Sequence, residues 1–149
     1  MKENRYDDQE FFDRYAEMAR SRKGLSGAGE WPVLKEMLPD LQGCRMLDLG
    51  CGYGWHCRYA VDQGASAVVG IDISERMLQK AKQLGDDPRI TYVRTAMEDV
   101  CFPPESFDVV ISSLAFHYVE DLQPLFRAVF RMLAPGGKFV FSCEHPLFT

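Results

Sequence analysis

Residues 47–54, LDLGCGYG, place three glycines, an aspartate and a cysteine in eight positions. Backbone stripped of side chains at that density lets a ligand approach the main chain closely. Such loops serve nicotinamide cofactors, nucleoside triphosphates and S-adenosylmethionine alike. Gly50, Cys51, Gly52, Tyr53 and Gly54 spell G-x-G-x-G, and Trp55 stands where a dinucleotide fingerprint has its last glycine. That glycine packs a helix close beside a pyrophosphate, so Trp55 argues for a smaller ligand. Asp48 would repel a phosphate but suits a cationic amino group or a sulfonium. Asp72, 20 residues beyond Gly52 at the tip of VVGID, is placed to accept hydrogen bonds from ribose hydroxyls. Capping of the following SERMLQKAK segment falls to Ser74, with Met77 at the third helical position. Asp72 therefore points to an adenosine without naming the rest of the molecule.

The elements that must hold these residues follow from periodicity. CRMLDLG, AVVGID, ITYVRT, FDVVISS and KFVFSC read as five short apolar strands. YGWHCRYAVDQG, SERMLQKAKQLG and LQPLFRAVFRMLAPGG between them have helical spacing and glycine stops. Strands alternating with helices predict a doubly wound α/β domain with a parallel sheet, whose ligand lies outside the carboxyl ends of the strands. The glycine loop follows the first strand, so it sits where a ligand is expected. Leu125, Phe126, Val129, Phe130 and Leu133 read as one apolar helix face against the sheet. Upstream, DDQEFFDRYAEMARSR carries Phe11, Tyr15, Met18 and Ala19 at helical spacing, followed by the loop GLSGAGE and a short helix, WPVLKEML.

Composition bounds the rest. The 149 residues suit a single domain with one core, and 46% hydrophobic with 26% charged residues is ordinary for a globular protein. A formal net charge of −5 disfavours a nucleic-acid partner. No apolar run approaches a membrane span, and the polar, acidic N-terminus does not read as a signal peptide. Five cysteines without a C-x-x-C pair suggest reduced thiols and a cytoplasmic protein. Cys51, His56 and Cys57 lack a second ligand pair at zinc spacing, so no metal site is expected.

From about residue 44 onward the chain resembles the class I S-adenosylmethionine-dependent methyltransferases. The resemblance rests on MLDLGCGYG, VVGIDISERML, TAMEDVCFPPESFDVVISSLAFHYVED and MLAPGGKFVFS, in that order. It implies a Rossmann-like sheet of strand order 3-2-1-4-5, with residues 44–149 as the cofactor-binding core and 1–43 as a helical lid. It implies that the glycine loop from Gly50 through Cys51 and Gly52 to Tyr53 passes under the methionine moiety, with Asp48 near its ammonium. Asp72 would hold the ribose, and Ile73 and Met77 would flank the adenine. Ala96, Met97 and Glu98 would rim it, and Ser113 and Leu114 would line the methionine side. S-adenosyl-L-methionine is then the cofactor and a small molecule the acceptor.

Two departures from the family stand out. Ala96 replaces an aspartate that in many relatives reads the adenine amino group, so the Met97 backbone or Glu98 would have to substitute. The chain also stops at EHPLFT, before the family's sixth and seventh strands. The fifth strand, Lys138 to Cys143, would then be an open edge that invites pairing with a second copy of the chain. Transfer from a sulfonium needs mainly alignment and a dry cleft, with a base only for a protonated or weak acceptor. His117 and Tyr15 are the candidate catalytic residues. The plainer reading has His117 capping backbone while Phe116 and Tyr118 pack. A nicotinamide-dependent oxidoreductase and a non-catalytic cofactor-binding or interaction module are the alternatives.

Overall fold

The computed structural model describes residues 31–113 and 121–142. Helix α1 (Trp31–Met37) leads into β1 (Arg45–Leu49), α2 (Trp55–Asp62), β2 (Ala67–Asp72), α3 (Glu75–Leu84) and β3 (Ile90–Arg94). A 3₁₀ turn (Met97–Asp99) then precedes β4 (Phe107–Ser113), α4 (Leu122–Met132) and β5 (Leu133–Ser142). The five strands form one sheet in the order β3-β2-β1-β4-β5, every pairing parallel. The doubly wound α/β architecture and its strand order are those expected.

The strands alternate side chains between two buried faces, which is why β1 and β4 read as nearly continuous apolar runs. Met46, Val68, Val109 and Ile111 face Leu34 of α1, Cys57, Ala60 and Val61 of α2 and Leu78 of α3. Leu47, Leu49, Ile71 and Val110 face Leu125, Val129 and Met132 of α4. Short polar caps set the starts of α3 and α4. The Ser74 hydroxyl accepts the Met77 N–H at 3.2 Å, and Asp121 accepts the Gln123 N–H at 3.1 Å. At the amino end of the sheet, Asp108 of β4 receives the backbone N–H and the guanidinium of Arg45 of β1 at 2.9–3.1 Å.

Two local expectations are corrected. The helical reading of LQPLFRAVFRMLAPGG runs too far, because α4 ends at Met132 and β5 begins at Leu133. Proline cannot donate a backbone hydrogen bond and disfavours helical geometry in the residue before it, so Pro135 excludes a continued helix. Phe107 pairs with Leu133 and Val109 with Lys138, so residues 134–137 bulge out of the ladder before regular pairing resumes. The expected fifth strand, Lys138 to Cys143, is thus the second half of a longer one, with Cys143 outside the described residues. The α4 stripe is also redrawn. Leu125, Val129 and Met132 are buried, whereas Phe130 is 67% exposed and Leu133 belongs to β5. Phe130 follows Val129 by one residue, roughly 100° around the helix, and so turns away from the sheet. Among the described residues no helix is long and apolar enough to cross a membrane.

Candidate cofactor-binding site

The carboxyl ends of β1 and β2 are joined through backbone and one carboxylate. Leaving β1, the chain takes left-handed conformations at Gly50 (φ 73°) and Gly52 (φ 54°), which a side chain would strain. This turn brings the Cys51 N–H to the Ile71 carbonyl of β2 at 2.8 Å. The Asp72 carboxylate completes the junction. One oxygen accepts the Gly52 N–H at 2.9 Å, and the other accepts the Ser74 N–H at 2.9 Å. Asp72 is 8% exposed, so these bonds form where water competes weakly. A single carboxylate thereby braces the glycine loop and the start of α3, and fixes where loop and strand end meet.

The predicted adenine-side residues cluster on the next turn. The Thr95 N–H bonds the Asp72 carbonyl at 3.1 Å, which carries the chain from β3 back to the end of β2. Ala96 is buried and precedes the 3₁₀ turn, whose Met97 packs on the α4 side of the core while Glu98 is exposed. The Ile73 carbonyl accepts the Arg94 Nε–H at 3.1 Å. Met77 is 1% exposed and lies within the α3 first turn, so its side chain is core as well as neighbour to the junction. Ser113 ends β4 opposite Ser142 of β5. Leu114, His117 and Tyr15 lie outside the described residues.

Asp48 is set apart from these. It is 1% exposed and points to the α2 side of the sheet, where its Oδ2 accepts the Cys57 Sγ–H at 3.5 Å. Burial pushes its carboxyl up to about 7; the Cys57 hydrogen bond pulls the other way and the Asp72 charge adds to the rise. Sequence reasoning missed the row in which it stands. Strand register aligns Asp48 with Gly70 of β2 and Tyr92 of β3. A β-carbon at Gly70 would lie 2.9 Å from the Cys57 sulfur and 3.0 Å from that of Cys51, so the bare glycine makes room for both thiols. The Tyr92 hydroxyl is buried with no hydrogen-bond partner among the described residues, and burial raises its pKa. Beside it the Arg58 guanidinium lies over the Trp55 ring at 4.6 Å and donates to the Ala81 carbonyl at 3.2 Å. The available signal was alternation along RMLDL, which puts Asp48 on the side of Met46, facing α2.

A glycine loop after β1, a carboxylate ending β2 and a switch point between β1 and β4 are the arrangement at which open α/β sheets take nucleoside cofactors. The methyltransferase domain family matches residues 47–141 of this chain. The chain belongs to that family. A protein from Haemophilus influenzae is 37% identical over 150 residues, spanning 97% of this chain and 59% of that one. An S-adenosylmethionine-dependent methyltransferase structure from Mesorhizobium loti is 54% identical with a TM-score of 0.82, covering 84% of this chain and 58% of that one. A phosphoethanolamine N-methyltransferase 2 from Haemonchus contortus, solved with phosphomonomethylethanolamine and S-adenosylhomocysteine, is 27% identical with a TM-score of 0.77. That match covers 96% of this chain and 37% of the Haemonchus chain. This chain thus spans less than two thirds of the length of these relatives. The resemblance to class I S-adenosylmethionine-dependent methyltransferases holds for family and fold, and nothing in these matches favours a nicotinamide enzyme.

Proposed function

We propose that this chain binds S-adenosyl-L-methionine across the carboxyl ends of β1 and β2 and transfers its methyl group to a small-molecule acceptor. The observation that carries the reading is the Asp72 carboxylate, bonded to the Gly52 N–H at 2.9 Å. It couples the ribose-binding position to the backbone of the loop that would cradle the methionine moiety. Ribose hydroxyls would share or replace the two backbone donors, so binding and loop geometry are linked through one side chain.

In this reading Gly50, Cys51, Gly52 and Tyr53 form the floor of the site, with Asp48 beneath the amino group. Ile73, Met77, Ala96, Met97 and Glu98 surround the base, and Ser113 and Leu114 border the methyl-transfer side. When bound, the cofactor supplies a methyl group on a sulfonium, which is already a good leaving group. The protein's work is then alignment and exclusion of water. His117 and Tyr15 are the proposed proton-handling groups for an acceptor that needs one. The segment 1–43 is proposed as a lid over the core 44–149. Its described end favours that: Trp31 of α1 meets His56 and Tyr59 of α2 at ring distances of 5.2 and 4.8 Å, beside the helix that follows the glycine loop. A small acceptor accords with the phosphomonomethylethanolamine bound by the Haemonchus relative. The reading keeps a cytoplasmic setting, no nucleic-acid or membrane partner, and pairing of two copies along β5.

Calorimetric titration with S-adenosylhomocysteine and, separately, NAD tests the cofactor. The homocysteine compound is expected to bind and raise the melting temperature, and NAD to do neither. Binding of NAD without a response to S-adenosylhomocysteine would overturn the assignment.

A further inference from the structure

Asp48 is a carboxylate in an environment that gives it little reason to be charged. Its ladder neighbours are Gly70 and Ile111, neither of which can donate a side-chain hydrogen bond. The titratable groups facing it are Cys57 from α2, Cys51 from the glycine loop, Asp72 from the end of β2 and Tyr92 from β3. Arg58, the nearest cation along α2, is turned onto Trp55 and the Ala81 carbonyl. Among the described residues no cation pairs with Asp48. The Cys57 thiol, at the third position of α2 and 0% exposed, is the donor placed on this carboxylate, and it fits there because residue 70 has no side chain.

We infer that Cys57 is a positioning residue, whose thiol orients Asp48 and favours its ionised form for receiving the ammonium group of the cofactor. The inference rests on the cofactor reading above. A hydrogen bond donated to a carboxylate favours its charged form, and only that form attracts an ammonium group. Burial holds the Asp48 carboxyl near 7, so affinity for an ammonium-bearing ligand rises as pH climbs through that region. The rise continues while the ligand's amino group keeps its own proton. Removing the thiol takes away the influence that lowers the pKa and moves the rise to higher pH. A hydroxyl in its place is a stronger donor and leaves the rise where it was or moves it lower.

The test is calorimetric binding of S-adenosylhomocysteine to the full chain, its Cys57→Ala variant and its Cys57→Ser variant, from mildly acidic to mildly alkaline pH. The alanine variant is expected to show its midpoint at higher pH, with affinity below it reduced about tenfold per unit of displacement and converging with the parent above it. The serine variant is expected at or below the parent midpoint. A loss of affinity equal at every pH, or a parental profile in both variants, overturns the positioning role and leaves the cofactor reading intact. Should the alanine variant not fold, a serine midpoint above the parent's overturns it alone. Absence of binding by the parent chain at every pH overturns the cofactor reading itself, and the inference with it.

Discussion

At the carboxyl ends of β1 and β2, the glycine loop is held by the Ile71 carbonyl and the Asp72 carboxylate, and the side chains beneath it are buried. At the far side of the sheet, β5 adds a cluster of aromatic rings to its backbone ladder with β4. Phe126, Phe139 and Phe141 contact one another at 5.1–5.8 Å, Phe141 is 39% exposed, and Phe130 stands 67% exposed beside them. Both regions belong to one parallel sheet, yet they are stabilised differently. The first is specified by directional bonds to named backbone atoms, which tolerate little displacement. The second is specified by apolar area, which is non-directional and accepts any surface that covers it. A ligand site needs the first kind of order, and an association surface needs only the second.

The sharpest way to break that comparison is Asp72→Ala, which removes the acceptor for both the Gly52 and Ser74 N–H groups. Losing the proposed ribose hydrogen bonds to this charged group costs about 1.5–3 kcal/mol, or roughly 10- to 150-fold in S-adenosylhomocysteine affinity. The unfolding temperature should fall too, since the backbone donors are left unpaired. A folded variant binding within about twofold of the parent would remove Asp72 from the site.

Next in size is Gly70→Val. The new side chain meets both thiols, and overpacking of this kind costs about 1–3 kcal/mol in denaturant unfolding. Cofactor affinity should fall with it, because the displaced Cys51 belongs to the loop. Unchanged stability would mean that the space beneath the loop is looser than the directional bonds imply.

The smallest effect is expected on the aromatic side. Phe130→Ser should change stability by about 0.5 kcal/mol or less, as for other exposed positions, and leave cofactor affinity at the parental value. Its readout is light scattering, where the self-association proposed for the β5 side should weaken. A loss of cofactor binding in this variant would join the two regions into one functional unit.

The strands and the positions of the glycine loop and Asp72 were legible because each depends on local pattern, whereas the strand order followed from the family resemblance. Apolar runs of strand length, glycines at positive φ and a carboxylate ending a strand all declare themselves within a few residues. The Ser74 cap was legible for the same reason, with its Met77 partner three residues on. Elsewhere local pattern was insufficient. LAPGG followed a helical run closely enough to be read with it, and only pairing with β4 drew Leu133 and Lys138 into the sheet. Phe130 looked like core because any aromatic near a helix stripe does, while the rotation of α4 against the sheet decided that Met132 is buried instead.

What the sequence determined by itself, then, was the family, the α/β class and the loop and carboxylate at its switch point, since these are carried by residues adjacent in the chain. What only the tertiary structure decided was the company Asp48 keeps. Strand register set Gly70 and Tyr92 in its row, and the packing of α2 lowered Cys57 onto its carboxylate. Those partners come from three separate elements. The energy of a buried charge depends on every group within a few ångströms of it, whatever the distance along the chain.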